Sequence, residues 1–156
     1  MSNKPRILLY RFLYTLATIY WKIFRPKSRS VVCLIEFENK ILLARNTYGN
    51  KRWIFPGGGC KRGENAEEAT KREVAEEVGI TLNQLSKIGD YTETEINKNA
   101  VVYCFYARTE SAELNIDKNE IAEAGWFEWS DLPQPLSIDT ERIIRLYQSY
   151  SNNLHG

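Results

Sequence analysis

The chain has 156 residues, 43% of them hydrophobic and 26% charged, with 21 basic and 20 acidic side chains and a formal net charge of +1. This length predicts one domain with a buried core, and the balanced charge excludes the basic excess of a non-specific nucleic-acid binder. The only histidine in the sequence is His155, next to last, which argues against Ser-His-Asp, Cys-His and multi-histidine metal sites. A small phosphate-bearing ligand stays open, because a few local cations suffice to bind phosphate.

The three cysteines are Cys33, Cys60 and Cys104, and they stand far apart in the sequence. An odd number at this spacing fits neither a disulfide framework nor a zinc motif. We therefore expect free thiols and a reducing, cytoplasmic location.

An apolar segment with basic residues on both sides occupies positions 1–27. Its uninterrupted apolar part is about ten residues long, too short for a spanning helix, and no small-residue cleavage site of a signal peptide follows it. We predict a helix that ends at Pro26 and packs on the domain or on a partner subunit, which would allow a homodimer. The alternative is a helix at a membrane surface, with cations of residues 4–27 facing anionic lipid.

Beyond Pro26 the sequence changes to short apolar runs that are typical of strands. Val31–Phe37 and Ile41–Ala44 flank the polar residues 38–40 and predict a hairpin. Residues 53–55 predict another short strand, which is closed by Pro56 and three glycines.

A helix is predicted from Ala66 to Val78. Asn65 and Glu68 have the spacing of a capping box at its start, and Gly79 is placed to end it.

Two further strands flank residues 97–99, another covers 124–129, and Ser137 is placed to cap a final helix. The run from Val101 to Ala107 is almost wholly apolar, which predicts a central strand. Strands before and after a single middle helix predict a mixed sheet with helices packed against it.

Three carboxylates of the middle helix, Glu73, Glu76 and Glu77, stand at positions i, i+3 and i+4 and therefore share one face. Like charges at these spacings each cost roughly 0.2–0.5 kcal/mol, and the helix dipole also disfavours acids in the last turn. A divalent cation would reverse this repulsion, and Mg²⁺ prefers oxygen ligands. The alternative is a solvated acidic surface balanced by Lys71 and Arg72.

The surrounding residues complete a longer pattern. Gly58 is followed after five residues by Glu64 and after seven more by the run from Arg72 to Ile80. This pattern resembles the complete Nudix box, and the likeness extends over all but the first two dozen residues and the last few. It implies a Nudix-like α+β fold, an α/β/α sandwich of residues 28–152, with an extra N-terminal helix in residues 1–27.

The resemblance also implies roles for single residues. Arg72 would orient the glutamates, Glu64 would brace the junction of loop and helix, and one of the glutamates would act as the base toward water. The implied ligands of Mg²⁺, with Mn²⁺ as the alternative ion, are the Gly57 carbonyl, Glu73, Glu76, Glu77 and Glu120. Glu123 is a rival to Glu120 as the loop ligand.

The activity implied is Mg²⁺-dependent hydrolysis of the pyrophosphate bond in a nucleoside diphosphate linked to a group X. The alternative is a nucleotide-binding module without turnover, against which the intact box argues. Candidates for substrate contact are Arg45, Tyr48, Trp53 and Gly58. Arg45 is equally well explained as a solvated cation, and of Trp53 and Phe55, which share a face, we expect one in the core and one free to stack a base.

Overall fold

The computed structural model describes residues 12–16, 27–93 and 99–155. The described elements are α1 (12–16), β1 (Lys27–Phe37), β2 (Lys40–Asn46), β3 (Gly57–Gly59), α2 (Ala66–Val78), β4 (Ser86–Glu93), β5 (Asn99–Arg108), β6 (Ile121–Glu128) and α3 (Ile138–His155). The helix predicted within residues 1–27 is described only as the single turn α1, and the rest of it lies outside the described residues. Within the described ranges, no helix is both long and apolar enough to cross a bilayer.

The strands form one mixed sheet in the order β4-β5-β1-β2-β6, with β3 paired to β1. β1 and β5 run parallel over ten residue pairs, from Lys27 opposite Asn99 to Glu36 opposite Arg108. The other strand pairs are antiparallel. The predictions of a mixed sheet and of a central strand over Val101–Ala107 are confirmed.

The hairpin of β1 and β2 opens away from its turn. Only two residue pairs join the strands at the turn, and nearer its start β1 pairs instead with β3, Val32 lying opposite Gly57. Between these contacts the Cys33 amide donates to the Pro56 carbonyl at 2.9 Å, and Ala44 and Ile54 exchange hydrogen bonds of 2.9 Å. The segment 53–59 therefore lies between the two strands.

This insertion corrects the predicted strand over residues 53–55. Trp53 and Ile54 form only isolated bridges, with Leu136 and Ala44, and the strand of this segment is the glycine run 57–59. The reason is that the segment crosses from one neighbour to the other, so no single partner pairs with it for long.

Side chains of β1 alternate between two cores, one on each face of the sheet. Val31, Cys33 and Ile35 pack on the face covered by α2, in a cluster that includes Val74 and Val78. On the other face, the cluster that contains Leu34 also contains Ile143 of α3. A fully buried aliphatic side chain contributes about 1.5–3 kcal/mol, so two such layers are a strong stabilising term. The α/β/α sandwich is confirmed.

The caps of α2 fix where the helix begins and ends. The Asn65 side chain accepts from the Glu68 amide at 2.9 Å, and Glu68 accepts in return from the Asn65 amide at 3.4 Å. Gly79 ends the helix with a φ of 76°, a conformation that glycine adopts without steric cost. An N-cap of this kind stabilises a helix by about 1 kcal/mol. The helix thus starts a few residues after β3, and the glycine strand lies against its acidic face.

Candidate active site

Arg72 is the centre of the hydrogen-bond network on α2. Its guanidinium donates to Glu64 twice, Nε to Oε1 and Nη2 to Oε2, both at 2.8 Å. Nη1 donates to Glu73 at 2.7 Å and to Glu76 at 3.2 Å, while Nη2 also donates to the Gly59 carbonyl at 3.0 Å. One side chain thereby joins the glycine strand, the loop after it and two of the three glutamates.

Glu64 is held as a carboxylate by this network. Besides the two bonds from Arg72, its Oε2 accepts from the Lys61 amide at 2.7 Å. The hydrogen bonds from Arg72 and then that from Lys61 lower the pKa of Glu64 from 4.5 to about 2. Donors that favour the charged form stabilise it in this way. Glu64 therefore connects the loop before α2 to the middle of the helix as a permanent anion.

Glu77 is the buried member of the acidic face. It is only 5% exposed, and its Oε2 accepts from the Gly57 amide at 3.0 Å. Burial raises its pKa to about 8, with further increases from the charges of Glu73, Glu120 and Glu76 that the Gly57 bond offsets in part. A carboxylate that is costly to ionise among other carboxylates is characteristic of a functional site, because a bound cation would remove the cost.

Close approach of the glycine strand to the glutamates and to β1 requires residues without side chains. A Cβ atom at Gly58 would lie 2.6 Å from the carboxylate of Glu73, and one at Gly57 would lie 2.2 Å from the Val31 carbonyl oxygen. A side chain at Gly57 would push β3 away from the backbone of β1, and one at Gly58 would displace the Glu73 carboxylate. The close approach seen here therefore depends on glycine at both positions.

The two candidate loop acids differ in their surroundings. Glu123 forms an ion pair with Arg45, whose guanidinium lies 4.7 Å from the ring centroid of Trp53. Glu120 contributes to the raised pKa of Glu77, and its carbonyl accepts from the Thr47 amide at 2.7 Å. Of the two, Glu120 is the acid that acts electrostatically on the buried glutamate, whereas Glu123 is engaged by a cation.

The oxygen atoms of the acidic face are the kind of ligand that a hard cation takes. In this structure they accept hydrogen bonds from protein donors instead. Within the described residues, no three acidic, cysteine or histidine side chains are arranged as a ready metal site. The physical reason is that Arg72 binds Glu73 and Glu76 while the Gly57 amide binds Glu77. Carboxylate and carbonyl oxygens are the donors that Mg²⁺ and Mn²⁺ prefer, and relief of the acidic repulsion favours such an ion.

A cavity of about 900 Å³ lies beside the glycine strand. It is lined in part by Gly58 and Tyr48, and several basic side chains reach it, Arg29 and Arg52 among them. This volume is in the range of sites for small organic ligands. Tyr14 of α1 also lines the cavity, and no sequence pattern pointed to it, because its contact with Tyr48 joins distant parts of the chain.

Arg45 and Trp53 do not line this cavity. Trp53 is 5% exposed and packs edge-on against Phe127, with centroids 4.9 Å apart, in the core on the α3 face. Phe55, at 2% exposure, lies in the same core, so the expectation that one of the two rings is free to stack a base is wrong. The placement favours a structural role for Trp53, and Arg45 is bound between its ring and Glu123.

Comparison with known proteins agrees with this architecture. The family model described as NUDIX domain matches residues 25–147. The chain belongs to the Nudix family and is by class a pyrophosphohydrolase. The ADP-ribose pyrophosphatase of Methanocaldococcus jannaschii is 29% identical over 136 residues, which cover 85% of this chain and 79% of that protein.

Other relatives are longer. The NAD-capped RNA hydrolase NudC of Citrobacter koseri is 33% identical over 104 residues, covering 66% of this chain and 40% of that protein. The chain therefore spans less than half the length of that hydrolase.

Solved structures give the same fold. The MutT Nudix hydrolase of Burkholderia pseudomallei has a TM-score of 0.70 and 26% identity, covering 78% of this chain and 98% of that one. The Nudix domain of Shewanella oneidensis NrtR, in complex with ADP ribose, has a TM-score of 0.71 at 19% identity, covering 88% and 97%. The second likeness concerns the fold alone.

Proposed function

We propose that the protein hydrolyses the pyrophosphate bond of a nucleoside diphosphate linked to a group X, and that it requires Mg²⁺. The observation that carries this proposal is the position of Glu77, buried against the Gly57 amide and raised in pKa to about 8 among three other acids. That arrangement is unfavourable for the folded protein by itself, and a divalent cation reverses its sign. The basic cavity next to it supplies room for a phosphate-bearing molecule.

The residues that would hold the metal are Glu73, Glu76, Glu77 and Glu120, with the carbonyl of Gly57. Bound Mg²⁺ neutralises phosphate charge and lowers the pKa of a water molecule that it coordinates. The ion would compete with Arg72 for Glu73 and Glu76, which are bonded to its Nη1 at 2.7 and 3.2 Å.

Proton removal from the attacking water falls to one of the three helix glutamates. General-base assistance of this kind contributes roughly 10²–10⁴-fold in rate. Arg72 orients Glu73 and Glu76 through charge-assisted hydrogen bonds, and Glu64 keeps Arg72 in place. Glu73, Glu76 and Glu77 all remain candidates for the base.

We favour an adenosine diphosphate derivative as the substrate. Two relatives are named for ADP-ribose and for NAD-capped RNA. Both of these ligands contain adenosine diphosphate.

The test is a product screen with ADP-ribose, NAD, nucleotide sugars and nucleoside triphosphates, each with Mg²⁺, with Mn²⁺ and with a chelator. We expect metal-dependent release of AMP or another nucleoside monophosphate from at least one of them. Absence of metal-dependent cleavage across the panel, together with tight binding of one nucleotide, would instead support a binding module without turnover.

We further propose that the apolar segment within residues 1–27 packs on the domain of residues 28–152, on a second copy or on a membrane surface. In α1, Phe12, Leu13 and Leu16 are 60%, 50% and 47% exposed, so their surfaces are available for such contacts. Removal of residues 1–24 should abolish pelleting with anionic liposomes if lipid covers them. It should lower the number of copies in the particle, measured by light scattering, if a second copy covers them. A cytoplasmic location agrees with the three free cysteines.

A further inference from the structure

We propose that Tyr14, which lies outside the matched Nudix region 25–147, is a substrate-binding residue that stacks the nucleotide base together with Tyr48. This inference rests on the proposed function, since it assigns the base of that nucleotide to a place in the cavity. It makes the N-terminal segment part of the substrate site.

The geometry of the two tyrosines supports a stacking surface. Their ring centroids are 4.9 Å apart with an interplanar angle of 35°, and both side chains line the cavity beside β3. Tyr14 keeps 40% of its surface exposed, so an aromatic ring can still cover it. Aromatic side chains bind nucleobases by stacking whatever the identity of the base.

The loop that follows Tyr48 lies close to the Tyr14 hydroxyl. A Cβ atom at Gly49 would stand 3.7 Å from the Tyr14 hydroxyl oxygen, and Gly49 adopts a φ of 72° directly after Tyr48. Glycine takes this left-handed conformation without a steric penalty. Gly49 therefore lets the chain turn directly after Tyr48, beside Tyr14 at the edge of the cavity.

Tyr48 connects this aromatic surface to the acidic face of α2. Burial raises the pKa of Tyr48, and the negative charges of Glu120 and Glu77 raise it further. The phenol is therefore close enough to feel the carboxylates that are proposed to hold the metal.

The charge of the cavity selects an anionic ligand over a neutral aromatic one. Among the described residues that line it, five are basic and one, Glu93, is acidic; the basic residues are Arg29, Lys51, Arg52, Lys61 and Arg62. Cations collected in a cleft attract phosphates and raise their local concentration. A molecule that is both aromatic and anionic fits both features, and a nucleotide is such a molecule.

The test uses binding by the full-length protein with Mg²⁺, so it does not depend on turnover. The probes are α,β-methylene-ADP, whose bridging carbon resists hydrolysis, and methylenediphosphonate, which has the same phosphonate groups without nucleoside. Calorimetry should show α,β-methylene-ADP binding at least about tenfold more weakly to Tyr14→Ala than to the wild type, as expected for loss of one stacking contact. Methylenediphosphonate should bind Tyr14→Ala and the wild type equally. Tyr14→Phe, which keeps the aromatic ring, should bind α,β-methylene-ADP as the wild type does.

Leu13→Ala is the matched control, because Leu13 is a neighbouring exposed apolar residue of α1 that does not line the cavity. It should bind both probes like the wild type. Equal nucleotide binding by Tyr14→Ala and wild type, tighter binding by Tyr14→Ala, or equal weakening for both probes would overturn the proposal. Equal binding of the two probes by the wild type would do the same. If the nucleotide probe behaves as expected while no substrate is cleaved, the proposed hydrolysis fails and the role of Tyr14 stands.

Discussion

The guanidinium of Arg72 donates a bidentate pair of hydrogen bonds to the carboxylate of Glu64, Nε to Oε1 and Nη2 to Oε2, both at 2.8 Å. The same guanidinium also bonds Glu73, Glu76 and the Gly59 carbonyl. A lysine cannot reproduce this planar pattern of donors. The pair therefore sets the relative position of the glycine strand and the acidic face of α2.

Arg72→Lys is expected to keep the fold and to lower kcat about 10-fold to 100-fold, because a small displacement of catalytic groups has effects of this size. The measurement is steady-state hydrolysis together with thermal unfolding. Arg142→Lys is the matched control, since Arg142 forms a surface pair with Asp139 on α3, at 3.1 Å. Loss of activity in both variants to the same degree would contradict a special role for Arg72.

The stability conferred by Glu64 should depend on pH below about pH 4.5. Its folded-state pKa of about 2 is lower than its ordinary value of 4.5, so its contribution is complete above pH 4.5 and is lost as the pH falls toward 2. The free-energy difference of unfolding between wild type and Glu64→Gln should therefore shrink through this window. Glu67→Gln, which removes an acid from the first turn of α2, controls for the change in net charge. A difference that stays constant from pH 5 to pH 2.5 would show that Glu64 is not held as described.

Glu77→Gln should be at least as stable as the wild type in buffer free of divalent ions. The uncharged amide can still accept from the Gly57 amide but does not bear the cost of burying a charge, which is what raises the pKa of Glu77 to about 8. Added Mg²⁺ should raise the unfolding temperature of the wild type, as any ligand of the folded state does, and should raise that of the variant less. Identical Mg²⁺ shifts in thermal unfolding of both proteins would place the ion elsewhere.

Glu36 of β1, which is far from α2 in sequence, should contribute to the stability of the fold. It is 7% exposed, and its carboxylate accepts from Tyr106 at 3.2 Å and Tyr147 at 3.1 Å and pairs with Arg108 at 3.2 Å. Glu36→Ala removes the carboxylate that accepts from both partly buried phenols and should cost about 1–3 kcal/mol of unfolding free energy. Arg108→Gln should cost under about 1 kcal/mol, because that side chain is 74% exposed and screened by solvent. Urea denaturation of both variants measures the asymmetry, and equal costs would refute it.

Local features of the fold could be predicted from the sequence. The helix Ala66–Val78 with Asn65 and Gly79 at its ends depends on residues within one or two turns, so the caps predicted it fully. The hairpin turn at Glu38 and Asn39, both with positive φ, also follows from adjacent residues. The position of three glutamates on one face of the helix likewise follows from the helical period alone.

Features that depend on pairing between distant segments could not be predicted. The insertion of residues 53–59 between β1 and β2 is set by contacts with both strands, and it carries Trp53 into the core. The sequence also gave no reason to bring Tyr14 to Tyr48, because neither residue belongs to a pattern with the other. The ion pair between Arg45 and Glu123 joins β2 to β6 and is likewise tertiary.

The most direct measurement is the rate of Mg²⁺-dependent hydrolysis, on the best substrate from the product screen, for wild type, Glu76→Gln, Glu77→Gln and Glu67→Gln. Wild type and Glu67→Gln should turn over alike, while Glu76→Gln and Glu77→Gln should each lose at least about a hundredfold in kcat. Circular dichroism should show all four proteins folded. Near-normal turnover in both Glu76→Gln and Glu77→Gln, or undiminished turnover in the presence of a chelator, would contradict a metal-dependent site on this face of α2.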